Sequence, residues 1–376
     1  MAGIIRGKTI IGKRPISYYY VGGDFTTYNT VNACSYFARL KSNGTYDDSF
    51  VMGTGFDNSP VAIGLQLDSK IVVGGSFLTY DSNTVNRIVR LNFDGSIDSS
   101  FDMGGGFNNT VFAIAIQNDG KILVGGSFST YSGSSYNQLI RLNTDASIDT
   151  SFSIGAGFNS NVLTIAIQLD GKILVGGDFT DYDGSSANRI IRLNSDGSID
   201  NSFAKGSAFD NKVSSIIVDS NNKILCVGRF TTYDGDSSKY IIRLKNDGGI
   251  DSSTFNIGTS FDTGGYPFKL VYNGKITTIG LFTEYKGNTI KYITRINNDG
   301  GFDDSFITNT NGGLNATPQT IELDYDKILV GGTFTSYEGV SSNYIIKLNP
   351  NGSIDTGFNI GSGFNQKVEV IKKYTT

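Results

Sequence analysis

Histidine is missing from all 376 residues of the chain. With it goes the side chain most often used as a general base near neutral pH and most often recruited as a metal ligand. No Ser–His or Cys–His pair can be assembled. Cysteine occurs only at Cys34 and Cys226, too few for a zinc cluster. Cys226 stands where other repeats of the chain have valine, so a buried free thiol is expected rather than a disulfide. Tryptophan is absent and proline occurs five times. No apolar run approaches the roughly 18 residues of a membrane span. The opening segment, MAGIIRGKTIIGKRPIS, carries charge where a secretion signal needs an unbroken apolar core, so synthesis in the cytosol without a signal peptide is expected.

Charge is scarce and uneven. The first fifteen residues hold four of the 31 basic residues, Arg6, Lys8, Lys13 and Arg14, and none of the 35 acidic ones. The remainder therefore has 27 bases against 35 acids, a net charge of −8. An acidic body argues against nucleic acid as a partner. Residues 1–15 read as a basic arm and residues 16–376 as the folded body.

What is plentiful is glycine, 48 residues of it, arranged in a repeated phrase. KIVVGGSFLTY, KILVGGSFSTY, KILVGGDFTDY and KILVGGTFTSY begin at Lys70, Lys121, Lys172 and Lys327. Aligned on its phenylalanine, the phrase recurs at Phe25, Phe77, Phe128, Phe179, Phe230, Phe282 and Phe334, spaced by 51 or 52 residues. A tyrosine follows three residues later in every copy, making a seven-fold F-x-x-Y. A second signature, as in RLNFDGSIDSSF, carries a basic residue (Arg39, Arg90, Arg141, Arg192, Arg243, Arg295, Lys347) and eight residues later an aspartate. Asn-Gly or Asp-Gly lies between them except at Asp145-Ala146, which predicts two strands joined by a two-residue hairpin turn, with the aspartate paired to the arginine of its own repeat. A third element, VFAIAIQ or VLTIAIQ, alternates large aliphatic and small residues and so reads as a strand.

Each unit of about fifty residues thus predicts four short strands, the pattern of a propeller blade of nearly kelch length. One blade cannot bury both faces alone, so seven must stack into a closed ring. The fold class is expected to be all-β, a seven-bladed β-propeller with four-stranded blades. The chain enters the repeat at ISYYYVGGDF, in its second strand, and ends in GFNQKVEVIKKYTT, which matches the strand that should precede it. Val368, Val370 and Ile371 are therefore expected to pair with the N-terminal strand and close the first blade.

The combination of VGG(D/S)F with R-L-N-x-D-G-S-I-D-x-S-F resembles the delta-60 repeat family of bacterial and phage sequences. The resemblance covers essentially all of 16–376 and weakens in blades five and six, where CVGRF (Cys226–Phe230) and TTIGLF (Thr277–Phe282) lose part of the glycine pair. It implies a propeller and surface or virion architecture, and it carries no catalytic residues.

The segment N-x-D-G-x-I-D is similar to the middle of an EF-hand calcium loop, but Arg90 and Phe101 occupy the two end positions where ligands are required. The loops Asp181–Gly184 and Asp234–Asp236 vary too much between repeats to form a shared ion site, so calcium there is expected to be adventitious and no cofactor is expected. Adjacent acids such as Asp47-Asp48 and Asp303-Asp304 sit on repeated hairpin positions, whereas a catalytic pair should break the symmetry. The chain is therefore expected not to be an enzyme. The expected role is a structural or interaction propeller of a larger particle, a phage tail or surface component acting as spacer or adhesin, docked through the arm onto other proteins. The alternative is a carbohydrate-binding propeller that uses its F-x-x-Y aromatics as platforms for surface glycans. It fails if those tyrosines are buried.

Overall fold

The computed structural model describes residues 17–30, 32–256, 261–263, 269–306 and 312–375. The arm residues Arg6, Lys8, Lys13 and Arg14 lie outside them. Among the described residues every regular element is a strand. In blade 3 the inner strand Val111–Ile116, the middle strand Ile122–Gly126 and the outer strand Leu139–Leu142 form one antiparallel sheet in that order. Ala113 faces Gly125, Ile114 faces Val124 and Ala115 faces Leu123 across the inner ladder. The same three-stranded sheet recurs seven times. All-β architecture and seven propeller repeats are what the periodicity required.

The inner strands touch one another all the way round. The last, Val368–Thr375, lies between Pro318–Asp324 of blade 7 and Pro60–Leu65 of blade 2. It pairs antiparallel with Ser17–Gly23, the middle strand of blade 1, setting Ile371 opposite Val21, Val370 opposite Gly22 and Val368 opposite Gly23. Blade 1 is thus built from both ends of the chain.

Alternation explains how blades stack. The small face of one inner strand meets the aliphatic face of the next, and glycine permits the approach: a Cβ on Gly125 would lie 2.5 Å from Val162 Cγ1 of blade 4. Middle strands such as Ile122–Gly126 are wholly buried, and each fully buried Ile or Leu contributes roughly 1.5–3 kcal/mol.

Two local expectations differ from the structure. The fourth strand of a blade is reduced to one bridge, for example Ile97 to Leu91. The reason lies in Asp98, whose carboxylate accepts the Ser100 N–H and turns the chain outward before a ladder can grow. The hairpin turn is three residues long, not two: the Asn92 N–H donates to the Ser96 carbonyl, and Gly95 sits at φ +96°. Where glycine is replaced, Ala146 takes the same left-handed conformation at φ +72°.

Candidate functional site: the blade junctions and the lumen

Each F-x-x-Y motif is interior. The seven phenylalanines are fully buried and the seven tyrosines at most 2% exposed. Phe128 packs on Phe107 at 4.4 Å between ring centroids, and the Tyr131 hydroxyl donates to the Ala146 carbonyl at 2.8 Å. Burial pushes all these phenols up. They cannot stack on a sugar, and the glycan reading loses its platform.

The repeated arginine and aspartate form a buried junction between blades. Arg141 Nε lies 2.6 Å from Asp149, whose other cationic partner is Lys121 Nζ at 2.9 Å. The Arg141 guanidinium also donates to the Ser195 carbonyl in the turn of blade 4. Arg39, Arg90, Arg192, Arg243 and Arg295 likewise reach the turn of the following blade, Arg243 meeting the Asn298 carbonyl at 2.6 Å. Burial alone would raise Asp98, Asp149 and Asp200, but hydrogen bonds from the lysine, serine and arginine outweigh it and hold them far below the usual carboxylate range. In blade 1 Tyr18 takes the lysine's place, with the Arg39 guanidinium 4.8 Å from its ring.

Between blades 7 and 1 the pattern changes. Lys347 replaces arginine, and it lies 2.5 Å from Asp324 and 2.8 Å from the Tyr19 hydroxyl, which itself donates to Asp324 at 2.7 Å. Lys373 approaches the other Asp324 oxygen at 2.7 Å. Burial would raise Asp324, yet Lys347, Lys373 and Tyr19 together bring it down to about 2.

The lumen is lined by the inner strands, because a residue there meets solvent only along the axis. Alignment of these strands shows where symmetry fails. The position of Ala113 becomes Lys269 in blade 6, and that of Ala115 becomes Glu322 in blade 7 and Lys372 in blade 1. Glu322 lies 3.3 Å from Lys372 and accepts the Lys373 N–H, while Glu369 pairs with Lys367 at 2.6 Å. Burial among protein atoms raises Glu322 despite its lysine neighbours and lowers Lys269 despite Glu369. The sequence reading missed this cluster because it looked for broken symmetry on the hairpins. Substitution of charge for alanine at the inner positions was the available signal.

The remaining residues singled out in the sequence have structural work. Asp183 and Asp234 accept the Ala156 and Ser207 N–H groups at 2.8 and 2.9 Å. Cys34 and Cys226 are free and buried, and burial raises both thiols, Cys34 to about 12. Among the described residues no group of three or more His, Cys, Asp or Glu is placed to hold a metal ion, and no helix is long and apolar enough to cross a membrane.

No curated protein matches the chain. Among solved structures it is similar to virginiamycin B lyase from Staphylococcus aureus, at 17% identity over 86% of each chain with a TM-score of 0.38. The WD40 β-propeller domain of Doa1 is 13% identical over 81% of this chain and 84% of that one, with a TM-score of 0.44. XC5397 from Xanthomonas campestris, a gluconolactonase, is 12% identical over 80% and 84%, with a TM-score of 0.37. The expectation that the chain is not an enzyme is corrected by this comparison, since a lyase and a gluconolactonase stand among the similar structures. Its physical basis was also incomplete: Glu322, Asp324 and Glu369 break the repeat's symmetry on adjacent inner strands. The description "Domain of unknown function (DUF5122) beta-propeller" matches residues 19–50, 66–101, 117–152, 168–203, 220–253, 273–306 and 326–358, and the chain belongs to that family of propeller repeats.

Proposed function

We propose that the ring is an interaction module of a larger particle, a phage virion in the delta-60 reading of its repeats, where it stands on the tail or surface as spacer or adhesin. The observation that carries this reading is the face formed by the turns between inner and middle strands. Leu67 and Leu169 open the three-residue turns of blades 2 and 4, Tyr325 opens the two-residue turn of blade 7, and the three are 98%, 79% and 62% exposed. Leu67 and Leu169 at the tips of turns gain nothing in an isolated ring and are buried when a protein surface covers them, while the Tyr325 ring also carries the Lys373 ammonium 3.4 Å from its centroid. Support also comes from the charge contrast between the arm and the acidic body. The arm docks on an acidic partner protein, and the ring faces outward from the particle.

Two variants test the proposal in particles purified from the native source: one lacking residues 1–15, and one carrying Leu67→Ser and Leu169→Ser. Both should keep the wild-type melting curve and disappear from the particle fraction. Normal incorporation of both sinks the proposal.

A further inference from the structure

Blades 2 and 3 part on the turn face to leave a cleft of about 460 Å³. Successive strands run antiparallel, so the inner-to-middle turns and the outer hairpins of every blade open on that face. Leu67 of blade 2 and the half-buried Ile116 of blade 3 supply the cleft's apolar lining, and the exposed Asp68, Asp119 and Asp145 stand around it. Gln66 lines the same cleft and is 8% exposed. Its Oε1 accepts from Arg90 at 3.3 Å, but among the described residues its Nε2 has no acceptor. The equivalent Gln168, between blades 4 and 5, donates its Nε2 to Asn246 Oδ1 at 2.8 Å. Thr144 stands where Asn246 does, each offering its carbonyl to the arginine of the preceding blade. A buried amide donor without an acceptor is costly, and a carbonyl brought into the cleft relieves that cost.

An occupant of this cleft needs a carbonyl for Gln66, an aliphatic side chain for Leu67 and Ile116, and positive charge for the three aspartates. Residues 1–15 carry that combination twice, in IIRGK (Ile4–Lys8) and IIGKR (Ile10–Arg14), and hold no acid. They also join the ring in the right place. Ser17 pairs with Thr375 at the turn-face end of blade 1, and the Tyr18 ring packs on Phe93 in the hairpin of blade 2 at 5.5 Å. The Tyr374 hydroxyl meets that of Ser69, in the turn that carries Leu67 and Asp68, at 2.5 Å. The chain therefore enters beside blade 2, and fifteen residues can span roughly 50 Å. We infer that residues 1–15 lie in the cleft between blades 2 and 3 of their own free ring and cover Leu67 until a partner displaces them. Tethering favours the same chain over a second copy, because it holds the segment at an effective concentration on the order of millimolar. The covering of the docking face rests on the function proposed above, whereas occupancy of the cleft does not.

Benzoylphenylalanine in place of Ile10, in the full chain, is the probe, irradiated and mapped by mass spectrometry. The crosslink should fall on residues 66–70 or 116–120 of the same chain, at a yield that does not change with protein concentration. Trypsin reads occupancy a second way. Cleavage after Lys8 and Lys13 should be about fivefold faster or more in the combined variant Asp68→Asn, Asp119→Asn and Asp145→Asn, the scale of three lost surface charge pairs. Asparagine suits such turns, since Asn351 accepts the Ser353 N–H just as Asp145 accepts that of Ser147. If the combined variant alters the melting curve, Leu67→Ser takes its place and should speed cleavage by about fivefold or more. No crosslink to those segments, a crosslink between chains that grows with concentration, or unchanged cleavage each overturns the inference. On purified particles the crosslink should vanish. Its persistence there refutes the covering of the docking face, while incorporation itself is read separately by the variants of the preceding test.

Discussion

Replacing Arg141 with methionine tests the blade junction directly. The wild-type guanidinium bonds Asp149 at 2.6 Å and Ser151 at 3.2 Å, and reaches the Ser195 carbonyl of the next blade. Both charged side chains are 6% exposed, so water cannot replace what is removed. Deleting one member of a buried ion pair costs about 3–5 kcal/mol. Lys121 remains 2.9 Å from Asp149 and keeps the carboxylate compensated, which puts the expected loss at the low end, about 3 kcal/mol. With an unfolding entropy of about 2.1 cal/mol/K per residue, that is a fall of roughly 4 °C in Tm for a ring of this size. Lys121→Met is the matched control: its side chain is 29% exposed, and its loss should cost about 1 kcal/mol or less. Urea unfolding followed by far-UV circular dichroism, in a chain without tryptophan, reads both. The reasoning is wrong if Arg141→Met costs under about 0.5 kcal/mol, or if Lys121→Met costs more than Arg141→Met.

Acid should destabilise the ring in a narrow window. Asp98, Asp149 and Asp200 are held well below the usual carboxylate range, and Asp303 and Asp324 at about 2, so their contribution is complete above roughly pH 4 and is lost as pH falls toward 2. A Tm that stays flat from pH 5 to 2 would contradict these pairings. Gly125→Ala should cost roughly 1–3 kcal/mol by forcing Val162 away, whereas Gly133→Ala, with open space around it but φ at +80°, should cost only about 1 kcal/mol of backbone strain; equal melting curves for the two would remove steric approach as the reason for the repeated glycine. Deleting Phe364–Thr376 takes away the inner strand of blade 1, leaves Ser17–Gly23 as an unpaired edge, and should yield aggregated protein in sedimentation. A soluble, equally stable truncation would mean that the ring does not depend on this pairing.

Blade number and strand identity were legible because each rests on a periodicity that many residues share. The F-x-x-Y spacing counts blades, and the alternation in VFAIAI names a strand whatever surrounds it. The fourth strand was not legible, because its length is decided by one side chain: Asp98 bonding Ser100 diverts the chain after a single bridge. Turn length likewise hangs on the Asn92–Ser96 closure, which an Asp-Gly pair does not specify. Arg141 and Asp149 were readable as a pair within one repeat, eight residues apart on facing strands. The bond from Arg141 to Ser195 was not, since it joins residues of different blades that only the ring brings together.

The lumen illustrates a further limit of reading repeats. A repeat is recognised by what its copies share, so a search for symmetry discards its exceptions as drift. Ala113 and Lys269 occupy one position, as do Ala115, Glu322 and Lys372, and singly each change is unremarked in the sequence. Ring closure turns them into neighbours, because the inner strands of blades 6, 7 and 1 stand side by side, and their charges then gather on one side of the ring. Repeat identity thus carries the fold, and departure from it on the inner strands of blades 7 and 1 brings in ion pairs that the other blades lack there. The same logic distinguishes Lys347 from the six arginines. There the departure falls between blades 7 and 1, where Tyr19 and Asp324 answer it with a buried network in place of the arginine junction seen in the other blades.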